Sequence, residues 1–206
     1  MQGKLKMTAI SDQVFAAIDF ESAGAGHGKT DVPVQIGMAT WSLENGHAEQ
    51  FVSFIRTDQP ITWSAQKVHG ITSADLASAP AFMTLWPQIK ALMSDRIAVA
   101  HGHGTEKRYL RAFPAHGLGP WVDTLQLARA AWPELQSHAL GDVCHQCNLE
   151  DKVTSLIPNK TWHDALYDAA ASLVLLEHLI TEFNLAKSSV DFLLHPDTSQ
   201  WHRVRR

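Results

Sequence analysis

With 206 residues, 45% of them apolar, the chain has the length and composition of one α/β domain able to bury roughly 70% of its unfolded surface. A formal net charge of −4 and a pI of about 6.3 exclude the broad basic face of proteins that coat duplex DNA. A local grip on a strand end, through a few contacts, remains compatible with that balance.

Residues 1–12 read as a loose N-terminal tail, in which Lys4 and Lys6 precede an apolar stretch too short for a signal-peptide core. The first strand is expected near 13–20, from the run Val14-Phe15-Ala16-Ala17-Ile18. It closes on Asp19-Phe20-Glu21, and side chains two apart on a strand share a face, so two like charges stand side by side at the edge of a core. Such a pair raises its own pKa values unless a cation joins it, and oxygen-only ligands suit a hard ion such as Mg²⁺ or Mn²⁺. The plainer reading is a strand end running into a solvated acidic loop. The loop from Ser22 to Asp31 holds three Gly and Lys29. Strands near 34–41 and 48–56 flank Asn45-Gly46, a strong hairpin signal, so the first three strands are expected to form an antiparallel meander.

Beyond them, a helix near 80–94 leads to a strand near 96–101 and a helix near 105–113. Thr105 is a fair N-cap there, and an acid at Glu106 would favour the helix dipole, the plain reading of that residue. A short strand at 120–123 and helices at 124–131 and 138–147 follow, with the last two strands expected to join in parallel. Cys144 and Cys147 form a lone C-x-x-C around His145; half-buried thiols are the plain reading, a zinc half-site or redox pair the rival. A long helix is expected over 163–184, with His163 at its start and Asp168 set among Ala169, Ala170 and Ala171. Small residues let that helix pack close to a sheet, and an acid in such a place needs a partner. A short helix near 187–194 ends a single domain over 13–194. The basic tail 195–206 can touch phosphate, with Trp201 stacking on a base, although a solvated end is the commoner fate.

Three of these segments together resemble the DEDDh 3′–5′ exonucleases, a family that includes the proofreading subunit of bacterial DNA polymerase III and RNase T. Asp19 and Glu21 match its Asp-x-Glu strand, with Ser22-Ala23-Gly24 where Thr-Thr-Gly is frequent. His101-Gly102 with Glu106 matches its His-Asn followed by an acid five residues after the His. His163 and Asp168 match its final His and Asp. Val68-His69-Gly70-Ile71-Thr72 and Val122-Asp123-Thr124-Leu125 are lesser echoes, and the likeness covers roughly residues 13 to 183. It implies a ribonuclease H-like mixed β-sheet of about five strands flanked by helices. Two departures stand out: Glu106 replaces an Asp, adding roughly 1.5 Å of reach, and Gly102 replaces an Asn.

The resemblance implies a metal-dependent 3′–5′ exonuclease that releases nucleoside monophosphates from single-stranded 3′ ends, with DNA slightly ahead of RNA. Asp19, Glu21, Glu106 and Asp168 would hold two divalent ions, Mg²⁺ or Mn²⁺, and His163 would take a proton from the attacking water. Substrate contacts are expected from Phe20, Ser22, Ala23, Gly24, His69 and His101, more weakly from His103, and Phe20, Trp63 and Trp86 are the aromatics that can stack a base. The rival is a catalytically weakened nuclease fold that binds nucleic-acid ends or a partner protein. No membrane association is expected, the location is expected to be cytoplasmic, and a second copy or a polymerase as partner is left open.

Overall fold

A computed structural model describes residues 8–26, 28 and 30–205. The expectations that name Lys4, Lys6, Lys29 and Arg206 concern positions outside the described residues. The five expected strands are present: β1 (Val14–Ser22), β2 (Pro33–Ser42), β3 (Gly46–Phe54), β4 (Ile97–Ala100) and β5 (Trp121–Asp123). They form one mixed sheet in the order β3-β2-β1-β4-β5, with β1 antiparallel to β2, β2 antiparallel to β3, and β4 and β5 parallel to β1 and to each other. Gly46, at a φ of +68°, ends the β2–β3 turn in the left-handed region that glycine tolerates.

The helices are α1 (Trp63–His69), α2 (Ser73–Leu76), α3 (Trp86–Met93), α4 (Gly104–Leu110), α5 (Thr124–Ala131), α6 (Leu140–Gln146), α7 (Glu150–Leu156), α8 (Ala165–Glu182), α9 (Asp191–Leu194) and α10 (Thr198–Val204). Alternation along β1 divides the core between two faces. Phe15 and Ala17 pack toward α5, α6 and α8, while Ala16, Ile18 and Phe20 pack toward α3 and α4. Asp19 and Glu21 therefore share the α8 face, as do Gln35 and Gly37 of β2, which pair with Glu21 and Asp19 respectively.

Four short helices (α1, α2, α7 and α10) fall where no helix was expected. Helix α4 begins one residue early, with His103 rather than Thr105 at its cap and without a side-chain capping bond. The C-terminal segment is also corrected. It was expected to be a loose end, but α10 packs on α5, and Trp201 is fully buried against Phe183 and Phe192. Arg205 Nη1 donates to the carbonyls of Ala130 and Ala131, satisfying the open end of α5. Trp201 is thus a core residue with no face to offer a base. At the other end, Ile10 is buried and its amide donates to the Ser188 carbonyl, so residues 8–12 are docked too.

Candidate active site

The four acids expected to act together converge. Asp19 and Glu21 project from the end of β1, Glu106 from the first turn of α4 and Asp168 from the first turn of α8. Burial, then the charges of Asp168, Glu106 and Glu21, hold the Asp19 carboxyl well above its ordinary range. Burial, with Asp168 and Asp164 nearby, pushes Glu21 up to about 8. Burial likewise pushes Glu106 and Asp168 up to about 7. Glu106 is only 5% exposed, so the plain reading of a solvated helix-dipole acid does not describe it.

His163 completes the group. It lies outside α8, at a φ of +67° just before the N-cap Asp164, and its amide donates to Asp168 Oδ2 at 3.2 Å. A ring nitrogen of His163 and one carboxylate oxygen each from Glu21 and Asp168 lie within 4.8 Å of one another. Among the described residues, two buried oxygens, Glu106 Oε2 and Asp168 Oδ1, find no hydrogen-bond partner. Among the described residues no Lys or Arg pairs with any of the four acids. Crowded, orphaned anionic oxygens around one imidazole are a donor set that fits hard divalent cations.

Two residues that motif reading passed over hold this geometry. Gln35 is 3% exposed; its Oε1 accepts from the Ala165 amide at 2.9 Å and its Nε2 donates to Asp164 Oδ2 at 3.0 Å. Asp164 Oδ1 in turn accepts from the amides of Leu166 and Tyr167, and Lys160 Nζ pairs with its other oxygen. The start of α8, and with it His163 and Asp168, is pinned to β2 through one amide side chain. Gly37 lets the backbone of α8 touch the sheet. Both left a signal: a polar residue inside the apolar run Val34 to Met38, and a lone glycine inside a strand. Gln35→Leu is expected to cost about 1–3 kcal/mol by orphaning the Ala165 amide, and to lower kcat about 10- to 100-fold through misplaced catalytic groups. Chemical denaturation and steady-state kinetics check both; an unchanged kcat would show that Gln35 only stabilises.

The expected substrate contacts fare unequally. Phe20 is buried edge-on against Phe82 and Tyr109, so it is corrected from a base-stacking residue to a core residue. Ala23 is fully buried, its amide donating to the Val32 carbonyl and its carbonyl accepting from Thr62, so it is corrected in the same way. Gly24, at a φ of +80°, leaves the space that the Thr62 hydroxyl fills. His69 Nε2 donates to the Ser22 carbonyl and its Nδ1 accepts from the Ile71 amide, so both ring nitrogens are committed to backbone. His101 is corrected as well. Its Nε2 donates to the His138 carbonyl and its Nδ1 meets the Thr124 hydroxyl, so both ring nitrogens are engaged within the fold and neither is free for substrate. His103 Nε2 accepts from Lys107 Nζ. Gly102, at a φ of +85°, donates its amide to Asp123 Oδ1. Trp86 stacks on Phe113, whereas Trp63 is 75% exposed. Cys144 is buried with its thiol pushed up to about 12 by burial, and Cys147 is half-buried with its thiol raised, so the reactive thiolate is disfavoured in both.

The sequence profile of the exonuclease family matches residues 16–176, which covers most of β1, every element from β2 through α7 and most of α8. The chain belongs to the exonuclease family. Among curated proteins it resembles the PolC-type DNA polymerase III of Halalkalibacterium halodurans, 28% identical over 177 residues, and that of Bacillus cereus, 26% identical over 179 residues. Those stretches cover 83% and 84% of this chain but 12% of each relative, so the chain spans only a small part of their length. In fold it is similar to an exonuclease X solved in complex with 5′ overhanging duplex DNA, with a TM-score of 0.69, 24% identity and coverage of 87% of this chain and 99% of that one. The nuclease domain of 3′hExo, a DEDDh family member bound to rAMP, gives a TM-score of 0.67 at 12% identity, covering 86% of this chain and 96% of that one. The family and the ribonuclease H-like fold expected from the sequence are those found. Among the described residues no helix is long and apolar enough to cross a membrane.

The raised carboxyls make stability depend on pH in a definite direction. Glu21 holds its proton in the folded state up to about 8 and, unfolded, only to about 4.3. The folded state thus binds more protons across that window, and the Glu21 contribution is lost as pH rises through it. Half-buried His69 and His101, with pKa values lowered by desolvation, act in the opposite direction below neutrality. The comparison that isolates the carboxyl is Glu21→Gln in EDTA: the variant's melting temperature should exceed the wild type's by a margin that widens from pH 5 to pH 8. Each kcal/mol is worth about 2–4 °C for a chain of this size. A margin that narrows toward pH 8 would contradict the assigned environment of Glu21.

Proposed function

We propose that the chain is a metal-dependent 3′–5′ exonuclease that removes nucleoside monophosphates from single-stranded 3′ ends, with DNA slightly favoured over RNA. The observation that carries the reading is the cluster of four carboxyls with raised pKa values, closed on one side by His163. Asp19, Glu21, Glu106 and Asp168 would hold two divalent ions, Mg²⁺ or Mn²⁺. When bound, such ions supply a water that ionises near neutral pH and relief for negative charge on the departing 3′ oxygen.

The chain's own contribution is to fix oxygen atoms and to move one proton. Asp19 feels the charges of the other three acids and would be the ligand most shared between the ions. A ring nitrogen of His163 takes the proton of the attacking water. The hydrogen bond from its backbone amide to Asp168 and the clamp on Asp164 fix the backbone that carries it, which limits the ordering entropy spent at the moment of reaction. His163→Ala is expected to lower kcat by about 10²–10⁴-fold while leaving metal affinity within a few-fold; a variant that loses metal binding instead would make His163 a ligand.

The decisive test is end-labelled cleavage of single- and double-stranded DNA and RNA with Mg²⁺, Mn²⁺ or EDTA, run beside Asp19→Asn. Metal-dependent shortening from the 3′ end, absent in the variant, is the expected result and ranks the substrates on one gel. No cleavage of any substrate with either ion would move the reading to the weakened, end-binding fold, with Glu106 as the first suspect.

A further inference from the structure

Among the described residues the largest exposed apolar side chain lies near this site and, of the aromatics expected to stack a base, is the one left open to solvent. Trp63 opens α1 with 75% of its surface exposed, and α1 buries none of its residues. A single exposed apolar side chain is common on protein surfaces, so the exposure counts here only with what surrounds it. The helix is held at both ends to the loop that follows Glu21. At its start the Thr62 amide donates to the Ala23 carbonyl at 2.7 Å, and the Thr62 hydroxyl fills the space above Gly24. At its finish His69 Nε2 donates to the Ser22 carbonyl at 3.0 Å. Trp63 is therefore fixed within a few residues of the carboxyl cluster.

The second observation is chemical. Lys67, one turn on, sets its ammonium 5.2 Å from the centre of the Trp63 ring. Among the described residues no carboxylate lies within ion-pair distance of Lys67. An aromatic ring with an unneutralised cation over one face and the other face open, on the rim of a centre that receives a strand end, matches one ligand class. Single-stranded nucleic acid presents a π-face and a phosphate at each residue, and stacking tolerates any base.

Resting on the exonuclease reading above, we propose that Trp63 and Lys67 form a platform for the incoming strand. Trp63 stacks one base and Lys67 meets its phosphate, so the strand is gripped outside the carboxyl cluster without sequence preference. The platform explains how a chain of net charge −4 holds a polyanion: the grip is one indole and one ammonium rather than a basic face.

The test uses a fluorescein-labelled oligothymidylate with Mg²⁺ in the Asp19→Asn background, which leaves the strand uncut. Trp63→Ala should weaken binding about 5- to 100-fold, the range for losing one aromatic stacking partner. Trp63→Phe, which keeps a ring, should restore most of the affinity yet lose part of the tryptophan quenching seen on titration. Lys67→Gln should lower the slope of log affinity against log salt by about 0.7, one phosphate contact on a single strand. Unchanged affinity in Trp63→Ala, with wild-type protein still cutting the same strand, overturns the platform and leaves the exonuclease reading intact. Wild-type protein that neither binds nor cuts any strand overturns both. A Trp63→Ala variant that loses self-association while binding the strand normally also overturns the platform, because the indole is then a protein contact.

Discussion

Asp19→Asn is expected to lower kcat/KM by about 10³-fold or more, about 4 kcal/mol of transition-state stabilisation, and to make the metal-free protein more stable. Both effects follow from one fact, that Asp19 is the acid most crowded by the others. Its carboxyl is pushed up first by burial and then by Asp168, Glu106 and Glu21 in turn. With cations bound, that crowding is what concentrates charge on them; without cations, it is repulsion. An amide of the same shape removes one charge from the centre of the cluster. The metal-free variant should therefore melt above the wild type at pH 8, where the wild-type carboxyls ionise against one another, with the gap shrinking toward pH 5, where they are protonated. The sign is that of a raised carboxyl: its folded-state contribution is present below the unfolded value of about 3.9 and is lost as pH rises. Mn²⁺ should reverse the order, stabilising wild-type protein more than the variant. Melting scans in EDTA and in Mn²⁺, set beside the cleavage assay, read all of this. A variant that is both inactive and less stable in EDTA at pH 8 would mean that Asp19 is held by hydrogen bonds rather than strained by its neighbours.

How much of this was legible in the sequence depended on whether a residue's job was local. The strands of β1, β2 and β3 and the hairpin at Asn45-Gly46 were readable because side-chain alternation and turn chemistry act over a few residues. The acids were readable as a set only through the family resemblance, which their three short motifs carry in order. Phe20, Ala23 and His101 were misassigned because spacing says which residues are near a site but not which way each points. Alternation turns Phe20 to the face opposite Asp19, and the His138 carbonyl, far along the chain, takes the ring of His101. Trp201 failed for the same reason in reverse. Its burial depends on Phe183 and Phe192, and nothing within its own basic segment marks it as core. Helix α1 has no apolar stripe because it buries nothing, so periodicity could not find it; its capping by Thr62 was the signal available.

Gly37→Ala is expected to cost about 3 kcal/mol or more in stability and to take most of the activity with it, although Gly37 touches no substrate. A methyl built on Gly37 would lie 2.1 Å from the Ala165 carbonyl carbon and the Leu166 amide nitrogen. Those are backbone atoms of the first turn of α8, and no flexible side chain is there to yield. The strand cannot retreat either, because β2 is bonded to β1 on one side and β3 on the other, and Gly37 pairs with Asp19 itself. The helix must move, and it is the helix that carries Asp168 and, just before it, His163. Moving it breaks the Gln35 bonds to Ala165 and Asp164, so the loss of packing is joined by an orphaned amide in a buried place. Stability and activity should therefore fall together, unlike Asp19→Asn, where they part. A Gly37→Ala protein that melts within a degree of wild type yet loses activity would show that α8 shifts at no cost, and the close approach of helix to sheet would then be an arrangement for catalysis alone. One that is fully active would mean that the cluster tolerates displacement of Asp168, which four like charges drawn around shared cations should not allow.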